Sequence, residues 1–130
     1  MTRRRLADDS GAAVAEFVMT STLVVLVFMA VVQLGLALHV RNTLISCASE
    51  GARYGARQGS SPEEGAQRTR DLIGRSLSES YAQDVRAEVQ TTEDGVDVVV
   101  VSVEAPLPVV GPIGPSDGLD VRGRAFSEVQ

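Results

Sequence analysis

Lysine and tryptophan are missing from this chain, and cysteine and histidine occur once each, as Cys47 and His39. A single cysteine excludes an internal disulfide. With one of each ligand type, no zinc-type cluster can be assembled, and no glycine-rich phosphate loop is present. No nucleophile has a base beside it. His39 and Cys47 are eight residues apart, about 12 Å along a helix axis, which is too far for a hydrogen bond. These absences predict a protein that is not an enzyme and has no metal, no cofactor and no small-molecule substrate. Proline is absent from Met1 to Ser61, so nothing breaks a helix there. Formal charge is absent from Phe17 to Leu38.

That uncharged run is the strongest signal present. Its 22 residues would reach about 33 Å as a helix, against a bilayer core of about 30 Å. The reading is a membrane-spanning helix over about residues 17–38. An acid, Glu16, stands at its mouth. A carboxylate costs about 2.5–3.5 kcal/mol at the centre of a membrane helix and less near the interface. Arg3, Arg4 and Arg5 precede the run, while Arg41, Arg53 and Arg57 follow it, so the positive-inside rule leans only weakly to a cytoplasmic N-terminus. A secretory signal peptide has a shorter apolar stretch and a small-residue cleavage site. Leu44-Ile45-Ser46-Cys47 spells a lipoprotein-like box but lies behind Arg41 and Asn42. Cys47 therefore reads as a small apolar residue on a helix face.

The charge beyond the run has the opposite sign. From Asn42 onward there are fourteen acids and eight arginines, a net of −6, which argues against nucleic acid as a partner. The first helix should continue past the membrane to about residue 58. Leu44, Ala48, Gly51, Ala52 and Gly55 recur at three- and four-residue spacing as a small-residue stripe. A glycine costs about 1 kcal/mol against alanine in a helix, so the stripe implies a close approach. The surface it meets is either the chain's own sheet or a neighbouring subunit, with Arg53 and Arg57 on the solvated side.

Gln58-Gly59-Ser60-Ser61-Pro62 ends that helix and starts the next. Ser61 is the N-cap, Pro62 suits the first helical position and Glu64 completes a capping box. Ala66, Ile73, Leu77 and Tyr81, widened by Leu72, give an amphipathic helix to about residue 80. Val85, Ala87 and Val89 alternate with polar residues, as in a half-buried strand. Thr92-Glu93-Asp94-Gly95 is a hairpin turn. Val96–Val103 is almost all valine, which predicts a central strand covered on both faces. Residues 105–118 hold four of the five prolines and form a loop. Its apolar stretch, Pro106–Ile113, either tucks over the sheet or offers an apolar edge to a partner. Val121, Gly123 and Ala125 alternate with polar or larger residues in a third strand. The expected fold class is α+β. A long N-terminal transmembrane helix would continue into a small domain with a second amphipathic helix and a three-stranded antiparallel meander.

Two blocks carry a family resemblance. Gly11-Ala12-Ala13-Val14-Ala15-Glu16-Phe17, followed by the apolar run, resembles the processing signature of type IV prepilins and pseudopilins. Glu50-Gly51-Ala52-Arg53-Tyr54-Gly55-Ala56 resembles the segment after the membrane helix in TadE-like proteins, the pseudopilins of Flp/Tad pilus systems. The resemblance implies a pilin-like fold and cleavage by prepilin peptidase between Gly11 and Ala12. Residues 1–11 would be a cytoplasmic leader, residues 12–58 the long helix and residues 59–130 the extracytoplasmic α+β domain. Glu16, the fifth mature residue, would meet the terminal amine of another subunit, with Phe17 beside it. Ala48, Gly51, Ala52 and Gly55 would serve helix packing. The implied location is the bacterial inner membrane and, after assembly, a pilus. The implied partners are the membrane, prepilin peptidase and other pilins or pseudopilins of the same system. Asp8 and Asp9, close to the cut, depart from the usual leader. Two rival readings are an unprocessed single-pass anchor for a binding or adaptor domain, and a secreted domain released by signal peptidase.

Overall fold

The computed structural model describes residues 3–109 and 117–128, with side chains from residue 9 onward. Two helices, a short 3-10 turn and three strands follow one another along the chain. They are α1 (Arg3–Gly55), α2 (Pro62–Ser76), the 3-10 turn (Glu79–Ala82), β1 (Asp84–Thr91), β2 (Asp97–Ala105) and β3 (Leu119–Phe126). The α+β class and the antiparallel meander are as the sequence predicts. The chain divides into two compact units, Met1–Gly35 and Leu36–Gln130.

The first unit is helix throughout its described part. It begins at Arg3 rather than at Ala12, because the leader holds no proline and nothing stops the helix from extending backward. Its apolar side chains are exposed: Phe17 by 72%, Leu23 by 61% and Phe28 by 65%. A helix this apolar and this bare is not the core helix of a soluble fold. Its length and composition suit a membrane crossing. The hydroxyl of Thr22 donates to the Val18 carbonyl at 2.8 Å, which settles its hydrogen bond within the helix and needs no neighbour.

The second unit is organised around the end of α1. Val40, Leu44, Cys47, Ala48 and Ala52 are all buried there. They join Ala66 and Ile73 of α2 and Val85, Val101, Val103 and Val121 of the sheet in one core. The helix ends at Gly55, short of residue 58. The chain then turns through Ser60 N–H to Arg57 O at 3.0 Å, and Gly59 takes a φ of 82°. Ser61 caps α2 as its sequence predicts: its hydroxyl accepts from Glu64 N–H, and the Glu64 carboxylate accepts from Ser61 N–H at 2.8 Å. α2 stops at Ser76 rather than near residue 80. Ser78 then caps the 3-10 turn that carries Tyr81.

The sheet order is β1-β2-β3. β1 and β2 pair from Asp84↔Glu104 to Thr91↔Asp97, and β2 and β3 from Val98↔Phe126 to Ala105↔Leu119. Gly95 supplies the positive φ of the hairpin turn, at 77°. The valine strand is central and has buried valines on both faces, as the sequence predicts, and the helices pack against one of those faces. Val101 and Val103 belong to the helix-packed core, whereas Val98 and Val100 do not. Val100 is nevertheless only 1% exposed. Its cross-strand neighbours are Glu88 and Arg124, whose aliphatic stems can cover apolar surface while their charged ends stay in water. In the loop, Pro108 is buried, Leu107 half-buried and Val109 exposed. The rest of its apolar stretch, residues 110–113, lies outside the described residues.

Candidate functional site

Gly11, Ala12, Glu16 and Phe17 all lie on α1 within the first unit, and all are exposed. The five-residue step from Gly11 to Glu16 spans about 7.5 Å of helix axis. A side chain added at Gly11 would meet nothing within 4 Å, so packing within the chain does not demand a glycine there. Glu16 is flanked by exposed apolar side chains, Val14, Phe17, Val18 and Met19. Among the described residues no ion pair reaches it; the pairs present are Asp84–Arg86 and Asp120–Arg122. In low dielectric an unpaired carboxylate would carry a large desolvation penalty.

The small-residue stripe lies in the second unit. Ala48, Gly51, Ala52 and Gly55 are buried there. A Cβ at Gly51 would overlap Thr69 Oγ1 and come within 2.6 Å of the Gly65 carbonyl oxygen. One at Gly55 would lie 3.2 Å from the Gly65 Cα. The stripe therefore seats α2 on α1 at glycine-to-glycine distance. Ala48 faces the sheet: a Cβ at Gly123 of β3 would overlap the backbone of Ala48 and Ser49. Thr69, fully buried, completes the joint. Its hydroxyl donates to Gly65 O at 2.9 Å and reaches Cys47 O at 3.5 Å.

The sequence does not mark Gly65 or Thr69 as contact residues, and it places Gly123 only as a member of the third strand. An isolated glycine inside a strand pattern signals a close backbone approach, so Gly123 carried a usable sign. Thr69 carried none.

The other chemistry-bearing groups stay apart. His39 is exposed and Cys47 is buried. Arg53 and Arg57 are exposed, and the Arg57 guanidinium stands 5.4 Å from the Tyr54 ring centroid, within cation–π range. Among the described residues no cluster of three or more His, Cys, Asp or Glu side chains could hold a metal. An open groove of about 530 Å³ beside α2 is lined by Arg70, Asp71, Arg75 and Glu79 among others. Its charges are mixed in sign.

The geometry thus separates an exposed acid on a bare apolar helix from a packed domain joined through glycines. Residues 11–53 match the family model described as TadE-like protein. The match takes in Gly11, Glu16, the apolar run and all of the stripe except Gly55, and it ends before α2. No curated protein and no solved structure matches the chain. A TadE-like segment points to a protein associated with a Flp/Tad pilus and with the membrane that carries it.

Proposed function

We propose that this chain, TadE-like over residues 11–53, is a minor pilin or pseudopilin of a Flp/Tad-type pilus or secretion system. It inserts in the bacterial inner membrane with its N-terminus in the cytoplasm. Prepilin peptidase trims it after Gly11. The mature helix then enters, primes or anchors the fibre, acting in assembly or adhesion. The domain from residue 59 supplies contacts to other pilins or pseudopilins and performs no chemistry of its own.

One observation carries this reading. Glu16 stands five residues after Gly11, at the head of an apolar helix whose side chains the fold leaves bare. Cleavage would create an amine at Ala12. An amine from another subunit, placed against Glu16, would remove a lone charge from the bilayer boundary and set the depth at which one helix docks beside the next. The test is a Gly11→Leu chain expressed in a strain that has the peptidase. It should stay at precursor length on intact-mass measurement, and normal trimming would refute the cleavage site.

A second reading has its own support. α1 is helical without interruption from Arg3 through Gly11, whereas a protease groove takes an extended segment. An unprocessed anchor for a binding or adaptor domain would need no such unwinding. It predicts an intact leader in the native host.

A further inference from the structure

The two edges of the sheet are not equivalent. In an antiparallel pair, residues that exchange main-chain hydrogen bonds alternate with residues that do not. Thr92 N–H donates to Val96 O at 2.8 Å and continues the β1–β2 register. This makes the even-numbered residues of β1 the bonded ones and turns the main-chain groups of Val85, Ala87, Val89 and Thr91 away from β2. The Val85 carbonyl is already taken, since it accepts from Arg70 Nη2 at 2.8 Å. Ser127 N–H donates to Asp97 O at 2.9 Å and continues the β2–β3 register. By the same alternation, the main-chain groups of Asp120, Arg122, Arg124 and Phe126 face outward from β3. No described group bonds them.

We propose that the β3 edge receives β1 of a second copy of this chain as a parallel strand, in the register that sets Arg122 opposite Glu88 of the second copy. Strand addition of this kind takes its affinity from main-chain hydrogen bonds and its register from side chains.

This pairing meets three constraints. The first is hydrogen-bond parity. In a parallel pair a residue facing its partner bonds the two residues that flank the one opposite. Arg122 would donate to Ala87 O and accept from Val89 N–H, and Arg124 would donate to Val89 O and accept from Thr91 N–H. All of these groups face outward. The second is the face of the sheet. Even-numbered residues of both strands lie on the face away from the helix-packed core. Parallel β3–β1 pairing keeps the helices of both copies on one side, whereas antiparallel β3–β1 pairing would put them on opposite sides.

The third is charge. The proposed register sets Asp120 against Arg86, Arg122 against Glu88 and Arg124 against Gln90. A slip of two residues one way sets Arg122 against Arg86 and Asp120 against Asp84. A slip the other way sets Asp120 against Glu88. Like charges directly opposite are destabilising. Antiparallel β3–β3 pairing centred on Val121 also gives two Asp120–Arg122 pairs, so charge does not separate it from the proposed register. A cross-link from Arg122→Cys alone, against one that needs Glu88→Cys as well, is what tells them apart. Centred on Arg122, β3–β3 pairing sets that residue against itself, between two Asp120–Arg124 pairs. The ion pairs inside each strand, Asp84–Arg86 at 3.1 Å and Asp120–Arg122 at 3.7 Å, are exposed. Such pairs contribute little and can exchange for cross-strand partners. A head-to-tail join of this kind does not close by twofold symmetry and can propagate into a filament, which deepens the pilin reading and rests on it for its setting.

The test uses full-length chains in native-host membranes, with the buried Cys47 left in place. Chains carrying Glu88→Cys and Arg122→Cys are co-expressed and treated with a mild oxidant. Neighbouring strands lie about 4.8 Å apart, so the two thiols should cross-link when both substitutions are present and not when either is alone. Gln90→Cys and Arg124→Cys should report the same register. Read through that second pair, Arg122→Glu should lower the yield by about twofold to fivefold, and Glu88→Arg in the same chain should restore it. A dimer formed by Arg122→Cys alone would mean β3–β3 pairing and would overturn the proposal. So would the absence of any cross-link, with or without trimming of the leader. Cross-linked chains that keep residues 1–11 would uphold the edge pairing while removing the processed-pilin reading. Trimmed chains in fibres without cross-links would do the reverse.

Discussion

At Gly51 a methyl group would overlap Thr69 Oγ1 and crowd the Gly65 carbonyl oxygen. The hydroxyl cannot simply swing away, because Thr69 is fully buried and bonded to Gly65 O. Gly51→Ala should therefore destabilise the domain by about 1–3 kcal/mol, the usual range for overpacking. In a unit of this size that is about 4–8 °C of Tm per kcal/mol, readable by thermal unfolding in detergent. Gly11→Ala should leave Tm unchanged, since a Cβ there meets nothing. Glu16 differs from both in that its environment lies outside the chain. Glu16→Leu should insert and be trimmed as before yet fail to enter the fibre, measured by sheared-fibre immunoblot. Assembly at wild-type levels would sink the docking role.

At the scale of the element, α2 depends on its first turn. Ser61 and Glu64 satisfy each other's main-chain N–H groups, and Pro62 occupies a position where no N–H is needed. Ser61→Ala removes one acceptor and should cost about 1 kcal/mol. The loss should appear as faster hydrogen exchange in the first turn of α2, with the sheet amides unchanged. The capping box was legible because all its members lie within four residues. The end of α2 was less so. The apolar period runs on to Leu77 and Tyr81, yet the helix stops at Ser76, and Tyr81 reaches the core from the 3-10 turn instead. Periodicity reports which face a residue takes, and two kinds of helix can place a side chain on the same face.

For the whole molecule, the bare apolar run over about residues 17–38 decides behaviour. Contiguous exposed apolar surface of this extent is not tolerated by a soluble monomer. The protein should remain in the pellet after an alkaline carbonate wash and leave it only with detergent. Intact mass of the native-host form should give a chain starting at Ala12. Retention of the first eleven residues would favour the unprocessed anchor.

The sequence alone determined the membrane run, the capping box, the Gly95 turn and the three strands with the valine strand in the middle. Each is a local signal, written in hydropathy, period or turn chemistry within a few neighbouring residues. Tertiary structure decided what those elements meet. It placed Gly51 and Gly55 against Gly65 of α2 and set Ala48 beneath Gly123 of β3. It buried valines on the face of the valine strand away from the helices, and it occupied the Val85 carbonyl at one end of the β1 edge with Arg70, while no described group bonds the outward main-chain groups of β3. These outcomes depend on pairings between residues far apart in the chain, and a glycine or an arginine carries no mark of which distant backbone it will approach.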